Sequence, residues 1–196
     1  MTNRYVGELG TDVYGTNADE GKIAKLSLTA TQSAAAGAVH AAITGSSSAI
    51  VTITADITDP PYPRNLVVTP GGTTADVKAG DIVIHGTNIC DDVISEAFTF
   101  ADNGAGAITG LSAFKTVTSI VIHIQDGASA TFAVTFADVL GLPFILEAQP
   151  FIWASDDGIT ETTAPTVVTD DDEIEKNTIA LNTAMDGSII KIILVL

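Results

Sequence analysis

One cysteine, Cys90, stands in 196 residues, so no disulfide can form within the chain. Its neighbours in TNICDDV include Asp91 and Asp92, not the cation or histidine that activates a thiol. Cys90 therefore reads as a small apolar residue of the core or its rim. Positive charge is also scarce. Eight Lys and Arg face 24 Asp and Glu, giving a formal net charge of −16 and a pI near 4.1. That balance argues against a nucleic-acid partner, because affinity for phosphates rests on Lys and Arg. It argues equally against an anionic membrane surface. Charged residues of both signs reach only 16%, against ~25% in ordinary soluble domains. Aromatics are 6%, so Val, Ile, Ala and Thr must fill most of the interior. Long apolar runs are missing as well. Nothing approaches the roughly 18 residues of a spanning helix, and the closing SIIKIILVL is short and interrupted by Lys191. The opening MTNRYVGELG lacks the apolar core of a signal peptide. The expectation is a soluble chain made in the cytoplasm.

Catalytic and ligand-binding motifs are absent too. No GxSxG elbow, phosphate-binding loop or dinucleotide fingerprint occurs. The histidines, His40, His85 and His123, do not have the close spacing of zinc ligands and read as structural. His85 and His123 come together only if the strand order allows it. Paired carboxylates of a glycosidase are defined only in space. The chain is expected to be no enzyme and to carry no cofactor and no metal. One dense acidic run exists: Asp170, Asp171, Asp172, Glu173 and Glu175. It lacks the central Gly and closing Glu of an EF-hand loop and reads as a solvated loop. A weak calcium site is the competing reading. Trp153, the sole tryptophan, reads as a core or interface anchor, with a sugar-stacking platform as its rival.

What the chain does have is β pattern. Hydrophobic residues make up 46%, with a mean hydropathy of +0.37. So apolar and charge-poor a chain is either a tightly packed sandwich or one that hides part of its surface in a subunit interface. Residues 1–23 are irregular and predict an extended N-terminal arm with Tyr5, Val6, Val13 and Tyr14 as anchors on a partner. Residues 24–62 predict an N-terminal β segment ending in the connector DPPYP, whose prolines cannot lie inside a paired strand. Residues 63–196 predict the main β-sandwich domain. Strands are expected at Val39–Thr44, Leu66–Thr69, Asp81–Gly86, Val93–Phe100 and Thr116–Gln125, with Thr73–Val77 as a further candidate. Pro70–Gly71–Gly72 is expected to turn. Ala130–Phe136 is expected to be the hairpin partner of Thr116–Gln125, and DVLGLP at 138–143 a helical turn or corner. DDG at 156–158 is expected to close a hairpin. The apolar strand Ser188–Leu196 must sit inside a sheet or pair with another chain. The fold class expected is all-β: an antiparallel β-sandwich or barrel-like domain with an N-terminal arm.

The segments PRNLVVTPGGTTADVKAGDIVIHGTNICDDVISEAF, AFKTVTSIVIHIQDGASATFAV, DVLGLP and NTIALNTAMDGSIIKIILVL resemble a family of tailed-bacteriophage virion structural proteins. They cover most of Pro63–Leu196, and the first 60 residues carry much less of the likeness. The resemblance implies a small β-rich protein of the phage particle and assigns no catalytic residue. It points to a capsid decoration, or cement, protein on the outer capsid surface, with the major capsid protein as partner and a homo-oligomer, expected as a homotrimer, as its form. Other roles compatible with it are a receptor- or glycan-binding head-fibre or tail module, and a neck or tail component.

Overall fold

The structure, a computed structural model, describes residues 23–28, 33–146 and 148–195. The arm expected at residues 1–23 lies outside the described residues except for Ile23. The described chain is all-β, and every strand pair in it is antiparallel.

The strands are β1 (Ile23–Leu28), β2 (His40–Thr44), β3 (Val51–Ile53), β4 (Arg64–Gly72), β5 (Gly80–Thr87), β6 (Val93–Phe100) and β7 (Ile108–Phe114). They continue with β8 (Thr116–Ile122), β9 (Ala130–Gly141), β10 (Phe151–Asp156), β11 (Ile159–Thr160), β12 (Thr166–Val168), β13 (Thr178–Ala180) and β14 (Ile190–Val195). One sheet has the order β3-β8-β5-β6, and a second β12-β13-β9-β4-β7 with β2 also on β9. The third runs β1-β14-β10-β11.

Period-two alternation builds two hydrophobic cores from these sheets. Ile82 and Ile84 of β5, Phe98 and Phe100 of β6, Ile120 and Ile122 of β8 point into the first. Leu66 and Val68 of β4, with Phe132 and Val134 of β9, close it from the other side. Ile190, Ile192 and Leu194 of β14, with Leu140, Ile179 and Ala154, form the second. Each buried Ile, Leu or Phe contributes about 1.5–3 kcal/mol by leaving water. β9 joins the two, since Phe132 and Val134 serve one core and Leu140 the other.

Several local expectations change. β4 does not turn at Pro70 but runs through it, pairing Pro70 with Phe132 and Gly72 with Ala130 on β9. The β7 ladder on its other side stops at Val68. Pro70 thus sits where one edge of the strand is open, a place that tolerates a missing N–H. Thr73–Val77 is no strand. A 3₁₀ turn, Thr74–Asp76, forms there, and the Asp76 carbonyl and carboxylate accept the N–H groups of Asp126 and Ser129. β8 ends at Ile122; beyond it the His123 and Gln125 side chains bond to the Lys78 backbone, and the Gln125 N–H donates to the Ser46 carbonyl. β9 is not the hairpin partner of β8. β8 pairs β3 and β5, whereas β9 crosses to the second sheet and pairs β4, β2 and β13. DVLGLP is largely the end of β9, which continues to Gly141.

Other expectations match. β5 and β6 fall where alternation places them, and β2 where Val39–Thr44 was expected. The β10–β11 hairpin turns at Asp157 (φ 45°) and Gly158 (φ 82°), the two left-handed positions of a type I′ turn. β14 is covered inside its own sheet, between β1 and β10.

Candidate interaction surfaces

Tyr5, Val6, Val13 and Tyr14 lie outside the described residues. Apart from the histidines, the residues that sequence singled out elsewhere fall into three separate places.

The first is the acidic loop between β12 and β13. Asn177 is fully buried beneath it. Its Oδ1 accepts the N–H of Leu146 (3.1 Å) and of Asp170 (3.0 Å), and its Nδ2 donates to the carbonyls of Asp170 (2.8 Å) and Glu173 (3.1 Å). Asp170 Oδ1 accepts the N–H groups of Glu173 (2.7 Å) and Asp172 (3.0 Å). Those two backbone bonds, and then Lys176, hold the Asp170 carboxyl below its ordinary range. Lys176 pairs with Glu173. The carboxylate best placed to lead a metal site is thus committed to its own backbone. No group of three or more metal-ligating side chains occurs among the described residues.

The second is a cleft of about 430 Å³ between β6 and β7, roofed by the acidic loop. β6 and β7 are edge strands of different sheets. Glu96 of β6 reaches across and accepts the N–H of Leu111 (2.5 Å) and of Ser112 (3.3 Å). Desolvation pushes its carboxyl up, opposed by those backbone bonds and by Lys176. A charge facing an open strand edge discourages another strand from pairing there. Val93 and Leu111 stand exposed beside it. At the end of the cleft, buried Asn88 accepts the N–H groups of Cys90 and Asp92 and donates to Glu175 (3.1 Å). Cys90 itself is exposed, contrary to expectation, because Asn88 folds TNICDDV outward as a turn.

The third is the outer face of the β1-β14-β10 sheet. Leu26, Ile192 and Ile152 point into the second core. Alternation turns Lys25, Lys191, Ile193 and Trp153 the other way. Trp153 pairs with Ile193, and Ile193 with Lys25. Between them lies a groove of about 210 Å³ with little polar lining. Trp153 is half-buried there, so it anchors a surface groove, not a core.

The histidines stay apart in role. His40 bonds Ala41 O, and His123 places its ring nitrogens 3.0 Å from the carbonyls of Asp81 and Lys78. His85 lies on β5 opposite Ser119.

Sequence reasoning missed Arg64. It is fully buried where the two cores meet, against Asp138 (3.5 Å), Met185 Sδ (3.0 Å) and the Phe136 ring (4.8 Å). Burial lowers its pKa and the Asp138 carboxylate opposes this. Tyr62, also against the second core, has a buried hydroxyl without a partner, and burial pushes it up to about 12. Neither carries a local sequence signal.

Compared with protein-family models, with curated proteins and with solved structures, the chain matches none.

Proposed function

We propose that this protein is a structural component of a tailed-bacteriophage particle, a capsid decoration protein that binds the outer surface of the major capsid protein shell. The reading rests on the resemblance, drawn from sequence segments that cover most of Pro63–Leu196, to virion structural proteins. The all-β body with two cores and an acidic, cation-poor surface is in keeping with it. β1, the first described strand, lies at the edge of its sheet. Tyr5, Val6, Val13 and Tyr14 make the lattice contact in this reading.

The mechanism is linkage. A protein that binds only the expanded shell stabilises that shell by mass action. The test is co-sedimentation with expanded capsids lacking the protein. The full chain is expected to saturate them. A chain without residues 1–22 is expected to fold with an unchanged melting transition yet bind weakly. Equal occupancy by both chains removes the arm from the contact, and no binding by either removes the decoration role. A head-fibre or tail module that binds a receptor glycan is the competing role, and a positive glycan array without capsid binding selects it.

A further inference from the structure

Among the described residues, Arg64, Lys78, Lys115 and Lys176 each pair with a carboxylate. Lys25 and Lys191 have no such pair. Both are exposed, and they sit on neighbouring strands, with Ser27 opposite Lys191 and Lys25 opposite Ile193. They bracket the Trp153–Ile193 groove. On a chain of net charge −16, this is a cationic and apolar site set in acidic surroundings.

The same sheet carries its complement. Ile159, at the tip of the β10–β11 hairpin, is 76% exposed. Asp157 precedes it in the turn, and a recess of about 360 Å³ beside it is lined by Asp156, Glu161 and Asp186. Asp157 is exposed. An apolar side chain flanked by carboxylates fits an apolar groove flanked by lysines, in charge and in chemistry.

We infer that the hairpin tip of one copy, led by Ile159 and Asp157, docks in the Trp153 groove of a second copy between Lys25 and Lys191. The inference rests on the homo-oligomer part of the proposed function and adds its geometry. Trp153 lies on the face of β10 turned away from the second core, into which Ile152 and Ala154 point. Asp156 alternates to the opposite face, and its cross-strand partner Ile159 shares that face. Knob and groove therefore lie on opposite faces of one sheet. Two rigid copies cannot each fill the other's groove, so the contact is heterologous and closes only as a ring, whose smallest member is a trimer. The two lysines offset part of the repulsion between copies so acidic.

The experiment combines sedimentation velocity with quenching of the single tryptophan. The full wild-type chain is expected to form one closed oligomer, with Trp153 shielded from acrylamide. K25E/K191E removes the groove's charge and D157K/I159K removes the knob; all four positions are exposed or at a strand tip, and circular dichroism checks each fold. Each variant alone is expected to be a monomer with Trp153 exposed. Mixed, they hold one intact knob and one intact groove, and are expected to give dimers and nothing larger. Restored rings from the mixture contradict this contact, as does a wild-type oligomer that both variants leave intact; the homo-oligomer reading survives either result. A monomeric wild type overturns both. If Trp153 is shielded in a monomer and exposed only when residues 1–22 are deleted, the chain's own N-terminal segment fills the groove and the inference fails. W153F, which keeps the face apolar, is expected to retain the oligomer and to abolish the quenching signal.

Discussion

Asn177 shows how much one buried polar side chain can organise. Four hydrogen bonds tie it to Leu146, Asp170 and Glu173, so the acidic loop is folded around an amide. Asn177→Ala strips those partners and is expected to cost about 2–4 kcal/mol, since each unmade buried bond costs on the order of 1 kcal/mol or more. Urea unfolding measures it, and a loss below about 1 kcal/mol contradicts the role. Arg64→Ala is expected to cost about 3 kcal/mol, chiefly by removing a fully buried side chain packed on Phe136 and Met185, since Asp138 is open to water and loses little. Glu96 gives a pH dependence. Its folded pKa is raised, so the native state holds a proton that the unfolded chain releases, and stability falls as pH rises from the ordinary Glu value of about 4.3 through the raised one. Glu96→Gln keeps an acceptor for Leu111 and Ser112 and removes the titration. Relative to that variant, wild type is expected to lose melting temperature across this window, and parallel curves contradict the assignment. None of these three was legible in sequence. Each draws its role from partners distant along the chain, as Glu96 does from Leu111 and Arg64 from Asp138 and Met185.

Among the elements, the strands themselves were legible and their neighbours were not. Alternation placed Ile82 and Ile84 on one face of β5, and Ile94, Glu96, Phe98 and Phe100 in phase on β6. It tells which side chains share a face, but not which strand lies alongside. Short sequence separation suggested β8 and β9 as a hairpin. The segment 123–129 instead carries the chain from one sheet to another, held by side-chain bonds from Gln125 and Asp76 that no periodicity announces. Glycine at a bulge is similar. β5 shifts register between His85 and Gly86, where a Cβ on Gly86 would lie 1.9 Å from the Thr116 carbonyl oxygen. Gly86→Ala is expected to cost about 3 kcal/mol, since neither backbone can retreat without breaking the ladder. The closing strand was legible as apolar and in need of cover. Its place between β1 and β10 meets that need, and Ile192→Ala there is expected to cost about 2–5 kcal/mol.

At the scale of the whole molecule, composition spoke for architecture more clearly than for function. Short Val-, Ile- and Thr-rich runs between Gly, Asp and Asn turns predicted an all-β body, and the antiparallel sheets bear it out. The acidic run drew attention as a ligand cluster, yet Asp170 and Asn177 make it a structural turn. Trp153 was legible as an anchor, but its groove was not, because Lys25 and Lys191 reach it from strands more than 100 residues apart in the chain. The proposed role assigns docking to residues 1–22, and the proposed contact between copies to the two faces of the β1-β14-β10-β11 sheet. The most direct test of the central claim is imaging of the intact virion with the protein located by labelled antibody or density. The account predicts density on the outer capsid surface at symmetric lattice positions, on the order of hundreds of copies per particle as repeated capsid symmetry requires. About a dozen copies or fewer, confined to the neck, tail or a fibre, contradict it.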